Sequence, residues 1–170
     1  MKVAIVGMSP SAISAPWEDA SWEKWGMPWS GDWAQMDRLF EIHSEWEEFN
    51  PSLDYRERLE SCGTSLYMQG NPLPGATKYP LAEVASLVGD YFESSVAFMM
   101  ALAIYEGAEE ISLHGVDMKS DEEYGYQKPN MEYMIGFARG RGIKVHVRDD
   151  SPLLKFSHFE GYTDRYGIGK

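Results

Sequence analysis

Short apolar segments alternate with helix-like segments along this chain of 170 residues, and that alternation restricts its fold more than any other feature. The segment KVAIVG at 2–7 is short, apolar and closed by a glycine, as buried parallel strands are. Ser9 and Pro10 follow it, a helix-capping residue type and a favoured first helical residue. A strand, a glycine turn and a helix start predict the first half of a βα unit.

The same order recurs later in the chain. Ser94 and Ser95 begin a strongly apolar helix, Gly107 ends it, and a strand follows at 111–114. Further strands are predicted at 22–27, 37–43, 64–69 and 143–147. Helices that alternate with β-branched strands indicate an α/β fold, a Rossmann-like open and mostly parallel sheet with helices on both faces.

Local patterns also predict helix starts and the domain boundary. Ser44 with Glu47 three residues later has the pattern of a capping box, and the last helix is predicted to start at Asn130. We expect one domain at 1–150, followed by an aromatic, glycine-rich tail at 151–170. This tail would dock onto the body of the protein or onto a second copy.

Composition excludes several classes of partner. The formal net charge is −12, and the 15 Lys and Arg are scattered among 27 acids, so we expect no nucleic-acid partner. Small anionic ligands remain compatible, because local backbone donors can hold them. Cys62 is the single cysteine, which excludes an intrachain disulfide and a cysteine-based zinc cluster. The sequence shows no signal-peptide pattern and no apolar run of membrane-spanning length, which predicts a cytoplasmic protein without a membrane partner.

In an open parallel sheet, ligands bind beyond the carboxyl ends of the strands. The residues that this rule selects, or that begin a helix at the same edge, are Gly7, Ser9, Ser11, His43, Ser44, Ser94, Ser95, Gly115 and Asp117. Ser9, Ser44 and Ser94 could serve only as helix caps. Together, neighbouring helix starts could instead offer N–H groups and hydroxyls to a phosphate.

Two residues are candidates for acid–base chemistry. His43 ends an apolar strand and is either a structural histidine or a general base. Asp117 could bind a ribose hydroxyl, act as a base or cap its loop. Tyr124, Tyr126 and Gln127 follow in the same stretch, and the tyrosine hydroxyls could donate to a leaving phosphate. The acids at 121–123 are expected to face solvent.

Common cofactor signatures are absent from the sequence, including GxGxxG, the Walker A motif, GxSxG, HExxH and CxxC. A dinucleotide-dependent enzyme and a P-loop NTPase are therefore disfavoured. No metal site is predicted.

Three segments, VAIVGMSPS, ESSVAFMMALAIYEGAEEISLHGVDM and GIKVHVRDDSPLL, together resemble a known group of proteins. They are similar to the nucleotide-binding core of bacterial sialyltransferases, to the related Maf and DUF115 proteins and to short phage-borne proteins. The resemblance implies a metal-independent transferase that moves a sugar from a CMP donor to a hydroxyl acceptor. It implies that Gly7, Ser9 and Ser11 lie near a CMP-like nucleotide.

By the same resemblance, Ser94 and Ser95 contact the base or ribose, and Asp117 closes the pocket. Tyr124 and Tyr126 would contact the leaving phosphate. The chain also departs from the family pattern. Met8 and Ser9 replace an Asn and a Gly of the family turn, and no His occurs from 115 to 144, where the family has its catalytic His. His43 is the substitute candidate.

The sequence therefore supports a nucleotide-binding or nucleotide-sugar-binding protein, in one form a minimal glycosyltransferase-like enzyme. The alternative is a non-enzymatic, oligomerising interaction protein that uses the tail and the cluster of five Trp at 17–33. A third possibility, which the resemblance to DUF115 proteins implies, is a magnesium-dependent diphosphokinase-like transfer to a pterin, which would need an acid cluster around Asp117.

Overall fold

The computed structural model describes residues 1–28, 35–118 and 124–155, with the side chains of Phe49 and Tyr124 left aside. Its strands are β1 (Lys2–Val6), β2 (Trp22–Gly26), β3 (Arg38–Glu41), β4 (Ser65–Met68), β5 (Thr77–Lys78), β6 (Glu110–His114) and β7 (Lys144–His146). They form one sheet in the order β5-β4-β3-β2-β1-β6-β7, and every pairing is parallel. The predicted α/β, Rossmann-like parallel sheet is confirmed.

The helices are α1 (Trp46–Phe49), α2 (Leu53–Glu60), α3 (Leu81–Val88), α4 (Ser95–Tyr105) and α5 (Tyr124–Gly140), with a 3-10 helix at Pro10–Ser14. Alternation along β1 divides the core between the two faces of the sheet. Val3 and Ile5 pack in the cluster that contains α3, α4 and α5, whereas Val6 packs in the cluster that contains α1 and α2. Both faces are therefore covered by helices.

Helix α4 lies in the centre of the larger cluster. Eight of its eleven residues are buried, which explains why its sequence is apolar on all sides. Its contacts with β1 and β3 place its first turn at the carboxyl edge of the sheet.

Two predicted helix starts are wrong. Helix α1 begins at Trp46, its N-cap residue is Glu45, and no side chain caps it, so Ser44 does not form a capping box. The carbonyl of Ser44 lies against Gly70 instead, where a Cβ would collide with it. Helix α5 begins at Tyr124, six residues before Asn130, and contains Pro129. The packing of α5 outweighs the weak helix propensity of its first two turns.

Some predictions fall wholly or partly outside the described residues. Residues 156–170 of the predicted tail and the acids at 121–123 are not described, whereas Ser151 and Leu153 are buried. Of the tryptophan cluster, Trp29 and Trp33 are not described, and Trp25 is fully buried in the core. In the three described ranges, no helix is long and apolar enough to cross a membrane.

Candidate functional site

The order in which strands are added to the sheet reverses at β1. Strands β2 to β5 extend the sheet on one side of β1, and α4 then returns the chain to β6 on the other side. Ligands bind at such reversals, beyond the carboxyl ends of the strands. A cavity of about 460 Å³ lies there, within the size range of small-molecule sites. The predicted residues that line it are Gly7, Ser9, His43, Ser94, Ser95, Gly115, Asp117 and Gln127.

The floor of the cavity is a close contact between the loops that follow β1 and β6. Gly7 N donates to His114 O at 2.7 Å, and Ser9 N donates to Gly115 O at 3.0 Å. Gly115 has a φ of +66°, and a Cβ added there would lie 2.6 Å from Gly7 O. Because only glycine allows this approach, the two loops meet through their backbones.

Ser11 also links the loops that follow β1 and β6. It is buried, it accepts from Gly115 N at 3.0 Å and it donates to Asp117 Oδ1 at 2.6 Å. Ser11 does not line the cavity, but its hydroxyl orients Asp117, which does line it.

The first turn of α4 forms one wall. Ser94 is the N-cap residue, and its hydroxyl accepts from Ala97 N at 3.2 Å. Within the described part of the chain, the N–H groups of Ser95 and Val96 make no hydrogen bond to protein. Because these donors combine with the positive end of the helix dipole, this wall suits an anion. Ser9 makes no such cap, since the 3-10 helix after it has no side-chain cap.

His43 also lines the cavity and is held by a buried acid. Glu41 is 1% exposed, and its Oε1 accepts from the His43 ring Nδ1 at 2.5 Å and from His43 N at 3.1 Å. The hydroxyl of Tyr55 donates to Glu41 Oε2. Burial and the hydrogen bond to Glu41 raise the pKa of Tyr55, so this hydroxyl stays protonated.

This arrangement fixes the tautomer of His43. A carboxylate oxygen only accepts, so the Nδ1 that faces it carries the proton, and proton exchange with a ligand would use Nε2. A carboxylate in this position also stabilises the imidazolium that forms when a histidine acts as a base. His43 therefore has the support that a general base requires.

The tyrosines predicted for the site are placed differently. Tyr126 is 68% exposed and does not line the cavity, and the side chain of Tyr124 lies outside the described residues. Gln127 lines the cavity instead, because successive residues of a helix point about 100° apart. The predicted donation from Tyr126 to a leaving phosphate would need a different orientation of this side chain.

Sequence reasoning missed Glu41 and Tyr55. A signal for Glu41 was present, because strand side chains alternate and an acid two residues before His43 shares its side of the strand. Tyr55 gave no comparable signal, since nothing in the sequence shows that α2 packs against the end of β3.

No protein-family model and no curated protein sequence matches this chain. Solved structures of the sialyltransferase CstII from Campylobacter jejuni do match it. A complex with the substrate analogue CMP-3FNeuAc is 16% identical, covering 85% of this chain and 78% of that chain, with a TM-score of 0.59. A CstII complex with a trisaccharide acceptor and CMP is 17% identical, covering 90% and 83%, with a TM-score of 0.61. A CstII point variant in complex with CMP is 16% identical over the same shares, with a TM-score of 0.62.

These similarities show that the chain has a sialyltransferase-like fold. The resemblance seen in the sequence is thus confirmed at the level of the fold. Its extension to Maf, DUF115 and phage-borne proteins stays a prediction.

Proposed function

We propose that this protein binds a cytidine nucleotide or its sugar conjugate in the 460 Å³ cavity and transfers the sugar to a hydroxyl acceptor. One observation carries the proposal. The N-terminus of α4 lines the same cavity as the loops of Gly7 and Gly115, at the point where the strand order reverses. The shared fold with CstII, whose structures hold CMP, supports the choice of nucleotide.

Each wall of the cavity would have one task. The N–H groups of Ser95 and Val96 would hold the phosphate and stabilise the charge that grows on it as the sugar leaves. Asp117, oriented by Ser11, would accept from a ribose or base donor. The helix N-terminus would then supply the stabilisation of the leaving phosphate without a metal ion.

His43 would act as the general base. The acceptor hydroxyl would give its proton to His43 Nε2 while its oxygen bonds to the anomeric carbon of the donor sugar. The bond between that carbon and the phosphate oxygen would break, and CMP would leave with the electron pair. Glu41 would stabilise the imidazolium, and Tyr55 would keep Glu41 in place.

Binding can be tested by calorimetry with CMP, UMP and AMP, each titrated once in the presence of EDTA and once in the presence of magnesium. The sharpest variants are Ser95→Ala, which removes only a hydroxyl, and Ser95→Pro, which also removes an N–H. Proline is tolerated here because Ser95 is the first helical residue and Ser94 is extended, with φ −161° and ψ 154°. We expect Ser95→Pro to bind CMP about tenfold more weakly than Ser95→Ala does, the loss of roughly one charge-assisted hydrogen bond. Equal CMP affinity of the two variants would show that the phosphate does not bind to the Ser95 N–H.

Transfer can be tested with CMP-sugars and mixed hydroxyl acceptors. His43→Gln should lower the rate by about 10²–10⁴-fold and leave CMP affinity unchanged, as expected for loss of a general base. A rate unchanged in His43→Gln would exclude His43 as the base. The interaction-protein and pterin-transfer alternatives stay predictions.

A further inference from the structure

One buried side chain of α5 holds the segment that leads into α4. Asn130 is fully buried, its Nδ2 donates to Tyr91 O at 2.6 Å, and its Oδ1 accepts from Glu93 N at 3.0 Å. A carbonyl oxygen only accepts and a backbone N–H only donates, so these two partners fix the orientation of the amide. The Asn130 side chain thus fixes the backbone on both sides of Phe92.

The segment that Asn130 holds forms part of the cavity described above. Phe92, Glu93 and Ser94 all line the 460 Å³ cavity, whereas Asn130 itself does not. The Phe92 ring is also fixed by packing, since it stacks on Phe98 with ring centroids 4.5 Å apart. Glu93 is exposed, so its place depends on its backbone bond to Asn130 more than on burial. A change at Asn130 therefore reaches the cavity through the residues that it holds.

The backbone donors assigned to the phosphate follow directly along the chain. Ser95 and Val96 are the first two residues of α4, and the Ser94 hydroxyl caps this helix. The ends of helices fray unless other groups hold them, and the N–H groups of a frayed turn no longer point at one position. The bond from Glu93 N to Asn130 holds the chain on the other side of the cap. The first turn of α4 is thus held from both sides of Ser94.

A second bond from α5 reaches the same connection farther from the cavity. The Tyr133 hydroxyl donates to Val88 O at 2.7 Å, at the end of α3. Neither Tyr133 nor Val88 lines the cavity. Because Tyr133 lies one turn after Asn130 on the same helix, its bond separates the contact at 91–93 from the general packing of α5.

We propose that Asn130 is a positioning residue for the phosphate of the bound nucleotide, because its amide holds residues 91–93 so that the N–H groups of Ser95 and Val96 point at one position. This proposal rests on the function proposed above. Asn130 does not line the cavity, so it acts through the first turn of α4 and not by contact with the ligand. Its effect belongs to the phosphate part of binding and not to the nucleoside part.

The test compares CMP with cytidine, which lacks the phosphate, by NMR titration of each protein. The ratio of the two dissociation constants measures the phosphate contact alone. Asn130→Asp is nearly isosteric, but its carboxylate cannot donate to Tyr91 O. Asn130→Ser is uncharged and too short to make both bonds. Tyr133→Phe is the matched control, since it also removes a hydrogen bond from α5 to this connection.

We expect the parent protein to bind CMP about a hundredfold more tightly than cytidine, as two charge-assisted hydrogen bonds imply. Both Asn130 variants should lower that ratio about tenfold, the loss of roughly one such bond, and leave cytidine affinity unchanged. Tyr133→Phe should keep the ratio of the parent protein. A purely structural role for Asn130 would weaken the binding of both ligands equally and leave the ratio unchanged.

Hydrogen exchange in the ligand-free protein provides a second measurement. Ala97 N donates to Ser94 O at 2.9 Å and to Ser94 Oγ at 3.2 Å, so its exchange reports on the first turn of α4. Ala103 is fully buried farther along the same helix and reports on the helix as a whole. We expect Asn130→Ser to raise the exchange rate of Ala97 relative to that of Ala103 about tenfold.

Two results would overturn the positioning role. One is a CMP-to-cytidine ratio that neither Asn130 variant lowers, and the other is an equally large loss of that ratio in Tyr133→Phe. In either case the proposed function stands if the parent protein binds CMP. If the parent protein binds CMP no more tightly than cytidine, the proposed function fails, and hydrogen exchange alone decides on Asn130. An unchanged rate of Ala97 relative to Ala103 would then overturn its role, and a raised rate would support it.

Discussion

Gly115 illustrates how a single residue can set the geometry of the cavity floor. Its positive φ and its approach to Gly7 O are separate constraints, the first conformational and the second steric. Gly142 has the first constraint alone, since its φ is +84° and a Cβ added there meets nothing within 4 Å. Substitutions at Gly115 and Gly142 therefore separate the steric effect from the conformational effect.

We expect Gly115→Ala to lower the free energy of unfolding by about 3 kcal/mol, because a left-handed alanine and a backbone collision act together. Gly142→Ala should cost about 1 kcal/mol, the conformational part alone. Urea denaturation of both variants measures this. Equal losses would mean that the loop contact is not tight.

His114 makes the stability of the protein depend on pH. Burial lowers its pKa from the ordinary value of 6.5, and the nearby charges of Arg148 and His146 act in the same direction. Its ring also lies within hydrogen-bonding distance of two hydroxyls, Ser14 Oγ at 2.9 Å and Ser112 Oγ at 3.1 Å. As the pH falls below 6.5, the unfolded chain takes up a proton that the folded protein resists, so stability is lost.

His114→Gln should therefore flatten the fall in unfolding free energy between about pH 7.5 and about pH 5. The control variant is His146→Gln, because the ring of His146 is 53% exposed and bonds to Glu110. Urea denaturation at the two pH values measures both. If His114→Gln retained the full pH dependence of the parent protein, its imidazole would not be the group that titrates.

Among the secondary-structure elements, the starts of helices were predicted least reliably from the local sequence. Ser44 and Ser94 both have the sequence of a cap, but only Ser94 accepts from a backbone N–H in its helix. Ser44→Ala should leave stability within about 0.5 kcal/mol of the parent protein, whereas Ser94→Ala should lose about 1 kcal/mol. Thermal unfolding of the two variants distinguishes them. A loss in Ser44→Ala equal to that in Ser94→Ala would contradict the assigned caps.

The alternation of strands and helices was predictable because buried parallel strands need short apolar sequences and their helices need caps and glycine ends. This alternation is enough to assign His43 and Asp117 to one edge of the sheet. The start of α5 was not predictable, since Gly125 and Pro129 are helix breakers in isolation. There, Asn130 is fully buried and bonds to Tyr91 O at 2.6 Å, a tertiary contact that local sequence does not reveal.

At the scale of the whole molecule, one charged cluster stabilises the fold at the edge of the sheet opposite the candidate site. At the amino end of the strands, the Arg38 guanidinium lies over the rings of Trp25 at 4.5 Å and Tyr67 at 5.5 Å. It also pairs with Glu23 at 3.1 Å and with Glu106 at 2.8 Å. This clamp joins β2, β3, β4 and the end of α4 at the edge opposite the cavity.

Arg38→Met should therefore lower the free energy of unfolding by about 2 kcal/mol, because it removes two partly exposed ion pairs and two contacts with aromatic rings. It should leave CMP affinity unchanged. Arg56→Met is the control, since Arg56 pairs with Glu47 and Glu60 at a solvent-exposed position, where such pairs contribute about 0.5 kcal/mol. Urea denaturation and calorimetry together check both parts, and weaker CMP binding in Arg38→Met would show that the two edges are coupled.

The outermost strands that the structure describes limit how the sheets of two copies of this protein can pair. β5 has two residues, β7 has three, and each carries an exposed lysine, Lys78 and Lys144. Short strands with lysines offer few backbone groups to an incoming strand and repel a like-charged neighbour. Continuous pairing of sheets from molecule to molecule, the first step of fibril growth, is therefore disfavoured at both ends, and the protein should tolerate the high concentrations that its binding experiments need.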